Sequence, residues 1–192
     1  MTNLVLASTS RYRRALLERL GVPFQAVAPP YQEVALESLP ASKWALTHAE
    51  GKASSLAASH PEALLIGSDQ VALHDGEVLG KPGDAQRAAA QLRRLQGQEH
   101  RLLTAVVVHE PASGRMERDV VETRIRMRAL TDDEIARYLQ FDEPYDCAGS
   151  YKMESLGISL FESQRGDDPT AVIGLPLMKL CRQLRAFGVR LP

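Results

Sequence analysis

Two hairpin signals interrupt an alternation of strands and helices in this sequence, and together they dictate the kind of sheet it can build. Short apolar runs at Leu4–Ala7, Phe24–Ala28 and Leu64–Ile66 are separated by segments whose apolar residues recur at helical spacing. Alternation of that kind builds parallel strand pairs through helical crossovers. Asp75-Gly76 then joins Val71–Leu73 to Glu77–Leu79, and Pro111-Ala-Ser-Gly114 joins two long runs at 101–109 and 117–128. Asp-Gly is a favoured two-residue turn, and hairpins make antiparallel pairs. A purely parallel sheet is therefore excluded, and the sequence predicts an α/β fold with a mixed β-sheet. The period-two alternation in Glu122-Thr-Arg-Ile-Arg-Met-Arg128 suits a strand with one wet face.

Helices are predicted over 10–20, 39–59, 84–95, 131–140 and 175–187. The first places Ala15, Leu16, Leu17 and Leu20 on one face and stops at Gly21. The second carries Trp44, Ala45, Ala49, Lys52, Ala53 and Leu56 at helical spacing, with Gly51 weakening it. Thr131 with Glu134 three residues on reads as a capping box. Residues 142–157 read as loop and Ile158–Phe161 as a strand. The 192 residues allow one domain over 1–192, with room for two lobes around a cleft.

Composition removes several function classes. A net charge of −1 with no basic tail disfavours a large nucleic-acid footprint. Two cysteines, Cys147 and Cys181, suggest a reducing compartment rather than a disulfide framework. Histidines 48, 60, 74, 100 and 109 lack metal-ligand spacing and read as surface or packing residues. No run approaches the roughly 20 apolar residues of a membrane span, and no signal-peptide pattern opens the sequence. A cytoplasmic location with no membrane partner is expected. The patterns G-x-x-x-x-G-K-[ST] and G-x-G-x-x-G are absent, which disfavours an ATPase, a kinase or a dinucleotide enzyme.

The helix that opens at Arg11 has the wrong charge for its own stability. Arg11, Arg13 and Arg14 sit in its first turn, where the macrodipole favours acids and opposes cations by a few tenths of a kcal/mol each, up to ~1. Free backbone N–H groups at that end already attract anions. Added arginines, behind a Ser10 cap, point to a strongly anionic visitor such as a phosphate chain. On this argument Arg13 is expected to serve ligand binding rather than stability.

Other strand ends carry polar groups too. Gly67-Ser-Asp-Gln70 follows Leu64–Ile66, so Asp69 is expected just beyond a buried strand, where ligand sites of α/β sheets gather. Gly80-Lys81-Pro82 follows a second strand, and Glu33 lies just after Pro29-Pro30. Read singly, each is ordinary turn chemistry. Together they supply two carboxylates, lysines and arginines, the inventory for Mg²⁺-assisted attack on a phosphate.

These residues fall into a recognisable set. Leu6-Ala-Ser-Thr-Ser-x-x-Arg-Arg-Ala-Leu-Leu17, Ile66-Gly-Ser-Asp-Gln-Val71, Leu79-Gly-Lys-Pro82, Cys147-Ala-Gly-Ser150 and Gly174-Leu-Pro-Leu177 resemble the Maf family of nucleoside triphosphate pyrophosphatases, in register from about residue 3 to 187. The resemblance implies an elongated two-lobed α/β fold with a mixed sheet and a cleft between lobes, related to inosine triphosphate pyrophosphatases. It implies hydrolysis of a nucleoside triphosphate to monophosphate and pyrophosphate with a divalent cation, Mg²⁺, Mn²⁺ or Co²⁺. The small-molecule nucleotide is the implied partner, and a homodimer is compatible with it. Asp69 takes the role of general base or of the carboxylate that holds the metal with its water; Glu33 is the second carboxylate and metal ligand. Arg13, Lys52 and Lys81 would neutralise the triphosphate, and Ser10 with nearby amides would cradle a phosphate.

Within the family, Gln70 and Glu154 are similar to the branch that hydrolyses 7-methyl-GTP, whereas the thymidine/uridine triphosphate branch has Asp-Thr at positions 69–70 and Arg at position 12. Tyr12 stands where the 7-methyl-GTP branch carries Trp; Gln32 and Gly51 stand where family members often carry Asp and Glu. N7-methylguanine is cationic, so an aromatic ring stacked on it gains a cation–π attraction of roughly 0.5–2 kcal/mol. Tyr12 suits that stack, Glu154 suits the N1–H and N2–H edge, and Gln70 suits another edge. The competing readings are a dTTP/UTP or other non-canonical nucleotide pyrophosphatase and a non-catalytic regulator of cell division. Asp69 and Lys81 argue against the regulator, since a pure binder has no need of them.

Overall fold

Every second residue of the first strand faces a different helical layer, and this alternation organises the fold. In the computed structural model, which describes residues 3–191, β1 (Asn3–Ala7) runs parallel to β2 (Gln25–Val27) and to β3 (Ala63–His74), with Val5 opposite Gln25 and Leu65. Leu4 and Leu6 pack with Leu64 and Ile66 against α1 (Arg11–Glu18) and α5 (Leu177–Ala186), through Leu16, Leu17, Leu180 and Leu184. Val5, Ala7 and Leu65 face the other way, onto Ala53 and Leu56 of α2 (Ala41–Ser54) and the turn that follows it. Burying a Leu or Val side chain is worth roughly 1.5–3 kcal/mol, and Leu6, Leu17, Leu65 and Ile66 are fully buried.

β3 pairs antiparallel with β4 (Glu77–Leu79), His74 opposite Glu77. Asp75 and Gly76 both have positive φ, 49° and 80°, as the Asp-Gly turn requires. β5 (Glu99–Glu110), β6 (Arg115–Met127) and the antiparallel edge strand β7 (Phe161–Gly166) complete one mixed sheet in the order β2-β1-β3-β5-β6-β7, with β4 beside β3. The chain divides into two compact units. One holds the residues up to Gln70, Thr104–Val121 and those from Asp168 onward; the other holds Val71–Leu103 and Glu122–Asp167. Among the described residues, no helix is long and apolar enough to cross a membrane.

Four expectations are corrected. Gly67-Ser-Asp-Gln70 is not a turn after β3 but its middle. Gly67 is glycine because α2 lies against it: a Cβ there would collide with the Ala49 carbonyl and crowd Ala53. The second helix spans 41–54 rather than 39–59, beginning after Pro40 and ending where the Ser55 hydroxyl donates to the Lys52 carbonyl at 2.8 Å. Residues Leu156–Leu160 form a 3₁₀ turn, and the strand follows at 161–166, exposed along nearly its whole length. An edge strand wet on both faces carries no apolar run to announce it. Ala15 is also exposed, leaving Leu16 and Leu17 as the buried residues of α1.

In the second unit, Asp84 caps α3 (Ala85–Leu95) by accepting from the Arg87 amide at 2.8 Å. Thr131 and Glu134 form the expected capping box on α4 (Asp132–Asp142). His100 is buried, shares a 2.8 Å hydrogen bond with the Tyr151 hydroxyl, and leaves Nδ1 without a partner among the described residues. Burial, with a smaller contribution from His74, pushes its pKa down to about 4. The unfolded chain takes up this proton near 6.5, so the neutral imidazole favours folding fully above that pH. The stability is lost as pH falls toward 4, by about 3 kcal/mol across the window. Urea unfolding of wild type and His100→Leu between pH 7.5 and 4.5 reads this directly. The variant should show a distinctly shallower acid slope; equal slopes would mean that another group sets the acid limit.

Candidate active site

The odd-numbered residues of β3 point toward α2, so Asp69 follows Leu65 and Gly67 onto that face and meets Lys52. The Lys52 ammonium donates to Asp69 Oδ1 at 2.6 Å and lies 2.6 Å from Glu33 Oε1. Lys52 and Asp69 are buried, at 7% and 8% exposure, while the Glu33 side chain is 47% exposed. One ammonium therefore bridges two acids that lie 36 residues apart in sequence, one on a rigid strand and one on an irregular loop. Burying such charges is costly unless they are paired and hydrogen-bonded.

Arg13 completes the group. Burial pulls its pKa below the usual guanidinium value, while the negative charges of Asp69 and Glu33 act in the opposite direction. The same two carboxylates reinforce the effect of burial on Tyr31 and hold its phenol further from ionisation. Arg13 Nε donates to the Gly174 carbonyl at 2.9 Å. Arg13 thus also tethers the Gly174 carbonyl, a contact that the dipole argument did not anticipate. Ser10 caps α1, its hydroxyl accepting from the Arg13 amide at 3.3 Å. The other two arginines separate: Arg14 Nε pairs with Glu18 at 3.1 Å on the solvent side, and the Arg11 guanidinium stands over the Tyr12 ring, 4.7 Å from its centroid.

The even-numbered residues of β3 serve the opposite face. The Ser68 hydroxyl is shared between the carbonyls of Ala105 and Gly174, at 2.7 and 2.8 Å. Gln70 Nε2 donates to Thr104 Oγ1 and the Ala171 carbonyl, both at 2.9 Å, with Val172 O at 3.3 Å. Its amide nitrogen is committed to holding this loop; Oε1 makes none of these bonds. The buried Asp168 finishes the loop, accepting from the Thr170 amide and hydroxyl and from the Met178 amide at 2.7 Å. It caps α5, whose own N-cap position is Pro176 with no side-chain acceptor.

Lys81 and Glu154 belong to the second unit, and both are exposed. Lys81 sits between Gly80, whose carbonyl accepts from Gln91 Nε2 at 2.9 Å, and the buried Pro82. Glu154 follows Lys152, whose ammonium donates to the Asp142 carbonyl at 2.6 Å. Sequence reasoning missed Ser68, Asp168, Tyr31 and His48. Ser68 bonds to carbonyls 37 and 106 residues away, which no spacing rule reports, and Asp168 caps α5 from ten residues upstream, outside the helix's own cap position. His48 had a usable signal, since Trp44, His48 and Lys52 recur every fourth residue on α2.

Glu33 and Asp69 suit a hard divalent cation of the Mg²⁺ type. Such ions are typically held by one or two carboxylates together with substrate phosphates and water. Among the described residues no group of three or more His, Cys, Asp or Glu converges as an all-protein cage. The two carboxylates, Glu33 and Asp69, and the two cations, Lys52 and Arg13, also cancel in formal charge.

Comparison with known proteins follows the same lines. Residues 3–187 match the family model described as Maf-like protein. A protein of Aromatoleum aromaticum named 7-methyl-GTP pyrophosphatase is 49% identical over 191 residues, covering 100% of this chain and 98% of that protein. Proteins of the same name from Albidiferax ferrireducens and Chromohalobacter salexigens are 44% and 48% identical, covering 97% and 98% of this chain and 94% and 98% of theirs.

Proposed function

The chain belongs to the Maf-like family, and we propose that it hydrolyses a nucleoside triphosphate, 7-methyl-GTP, to the monophosphate and pyrophosphate. The observation that carries the reading is the buried Lys52 ammonium 2.6 Å from each of two carboxylates, with Arg13 beside them. Relatives named 7-methyl-GTP pyrophosphatase, matched from end to end, support it.

In the reaction, water adds to the α-phosphorus, the bond from that phosphorus to the bridging oxygen of the β-phosphate breaks, and pyrophosphate leaves with the electron pair. Glu33 and Asp69 would hold a divalent cation, which when bound supplies Lewis-acid stabilisation of the phosphate oxygens. Asp69 accepts the water's proton or fixes the water's place. Lys52, once the acids turn to other partners, is free to face the phosphates; Arg13 and Lys81 offset the charge that grows on the leaving group. Ser10 and the first amides of α1 cradle a phosphate. A cytoplasmic nucleotide pool is the setting this activity implies.

Base choice is assigned to Tyr12, Glu154 and the Oε1 of Gln70. A guanidinium already rests on the Tyr12 ring, which supports that ring as a seat for a cationic base. The test is kcat/KM for 7-methyl-GTP, GTP, dTTP, UTP and CTP on wild type, Tyr12→Ala, Tyr12→Trp and Glu154→Ala. Wild type should prefer 7-methyl-GTP. Glu154→Ala leaves base-edge donors unpaired and should cost that substrate about 1–3 kcal/mol, roughly five- to 150-fold. Tyr12→Trp should match or exceed wild type, Trp being the stronger cation–π partner. A preference for dTTP or UTP, or equal losses on all five substrates, would assign base reading elsewhere.

A further inference from the structure

Glu33 sits on a stretch, residues 28–36, with no helix or strand of its own. It is half-exposed and held at Lys52 by its charge, so something must fix the loop at the right distance from α2. Among the described residues, the α2 ring that bonds to this loop is His48, one turn before Lys52. His48 is 2% exposed, and both its nitrogens are engaged: Nδ1 with the Tyr31 hydroxyl at 2.9 Å and Nε2 with the Val34 carbonyl at 3.1 Å. A carbonyl can only accept, so Nε2 carries a proton, and in the neutral imidazole Nδ1 accepts from the phenol. The two anchored residues bracket Gln32 and Glu33. Trp44, one turn earlier, meets the imidazole edge-on at 6.3 Å. The Tyr31 ring lies against Gly51, where a Cβ would collide with the ring edge. An irregular segment is thus gripped on both sides of its one acid by a single imidazole, and the helix leaves out a side chain to seat the grip.

We propose that His48 and Tyr31 are positioning residues that act through the loop to set the reach of Glu33 to Lys52. This rests on the site reading given above. Neither side chain touches substrate; their effect is on where the second carboxylate stands when the phosphate chain arrives. Loss of the clasp should slow turnover and leave nucleotide affinity largely intact, because the base and the phosphates are held by other groups.

The variants are Tyr31→Phe, which keeps the ring and drops the hydroxyl; His48→Gln, which keeps a donor for Val34; His48→Ala, which keeps neither bond; and Glu33→Gln. Each is measured alone, and Tyr31→Phe and His48→Ala are also combined with Glu33→Gln. Amide hydrogen exchange over residues 29–36 reads the clasp without reference to activity. Steady-state kinetics with 7-methyl-GTP read the positioning. Expected are faster exchange confined to that segment, kcat lowered roughly three- to tenfold in Tyr31→Phe and more in His48→Ala, KM within about twofold, and His48→Gln between His48→Ala and wild type. In the Glu33→Gln background the same changes should have no further effect, since residues acting through one group are not additive with its loss. Unchanged exchange overturns the clasp. Faster exchange with losses that still multiply in the Glu33→Gln background overturns its action through Glu33. Faster exchange with full activity in every variant, Glu33→Gln included, overturns the positioning role by removing Glu33 from the site and leaves the clasp as a loop anchor.

Discussion

Asp69→Asn should lower kcat by at least ~10²-fold, the usual worth of a group that accepts a proton in the transition state. The substitution is isosteric, and Lys52 keeps Glu33 as a partner at 2.6 Å. Its cost to stability should therefore be only about 1–3 kcal/mol, the scale of one weakened buried hydrogen bond. Pyrophosphate release in the presence of Mg²⁺ measures the first quantity, and urea unfolding the second. More than about a tenth of wild-type turnover would remove Asp69 from the chemistry. A loss of activity tracking a loss of folded protein would give it a purely structural role.

Lys52→Met should be the most destabilising change at the site. It leaves the buried Asp69 carboxylate without the ammonium 2.6 Å away. Breaking a buried ion pair from one side costs about 3–5 kcal/mol. Some of that is relieved when the stranded acid takes up a proton, its pKa in the folded variant having risen above the unfolded value of ~3.9. The folded state then holds more protons than the unfolded one, so the variant should recover stability as pH falls through that raised pKa toward ~4. The double variant Lys52→Met/Asp69→Asn removes the stranded charge and should regain much of the loss at pH 7.5. A cost below about 1 kcal/mol in the single variant, or no recovery in the double, would mean that the bridge carries little of the fold.

Local rules were readable wherever a residue's neighbours in space are its neighbours in sequence. Ser10, Thr131 with Glu134, and Asp75-Gly76 all did what their spacing indicates. The mixed sheet followed from two hairpins. What spacing does not encode is contact at a distance. Gly67 has a turn-former's identity, yet its reason is the close approach of α2, so a strand interior reads in the sequence as a strand end. Gln70 has a base reader's position in the family pattern, yet its amide nitrogen holds residues 171 and 172. His48 stood among five histidines of no metal-like spacing, and its partners, Tyr31 and Val34, lie on a loop with no periodicity to flag them. Glu33, Asp69 and Lys52 are each legible as site residues; that the Lys52 ammonium joins the two acids is visible only in the fold.

β3 assigns its two faces to different tasks, Asp69 to the helix side, Ser68 and Gln70 to the loop side. A one-residue slip in a strand reverses every side chain beyond it. Descent can therefore exchange one side chain for another along Ala63–Gln70, but it cannot add or drop a residue there without turning the acid into the loop and the loop's tethers toward Lys52. Length in this stretch should therefore vary less among relatives than composition does. Relatives that differ in size should carry their extra or missing residues elsewhere, in connections such as the one between Glu110 and Arg115, where a changed length shifts no face.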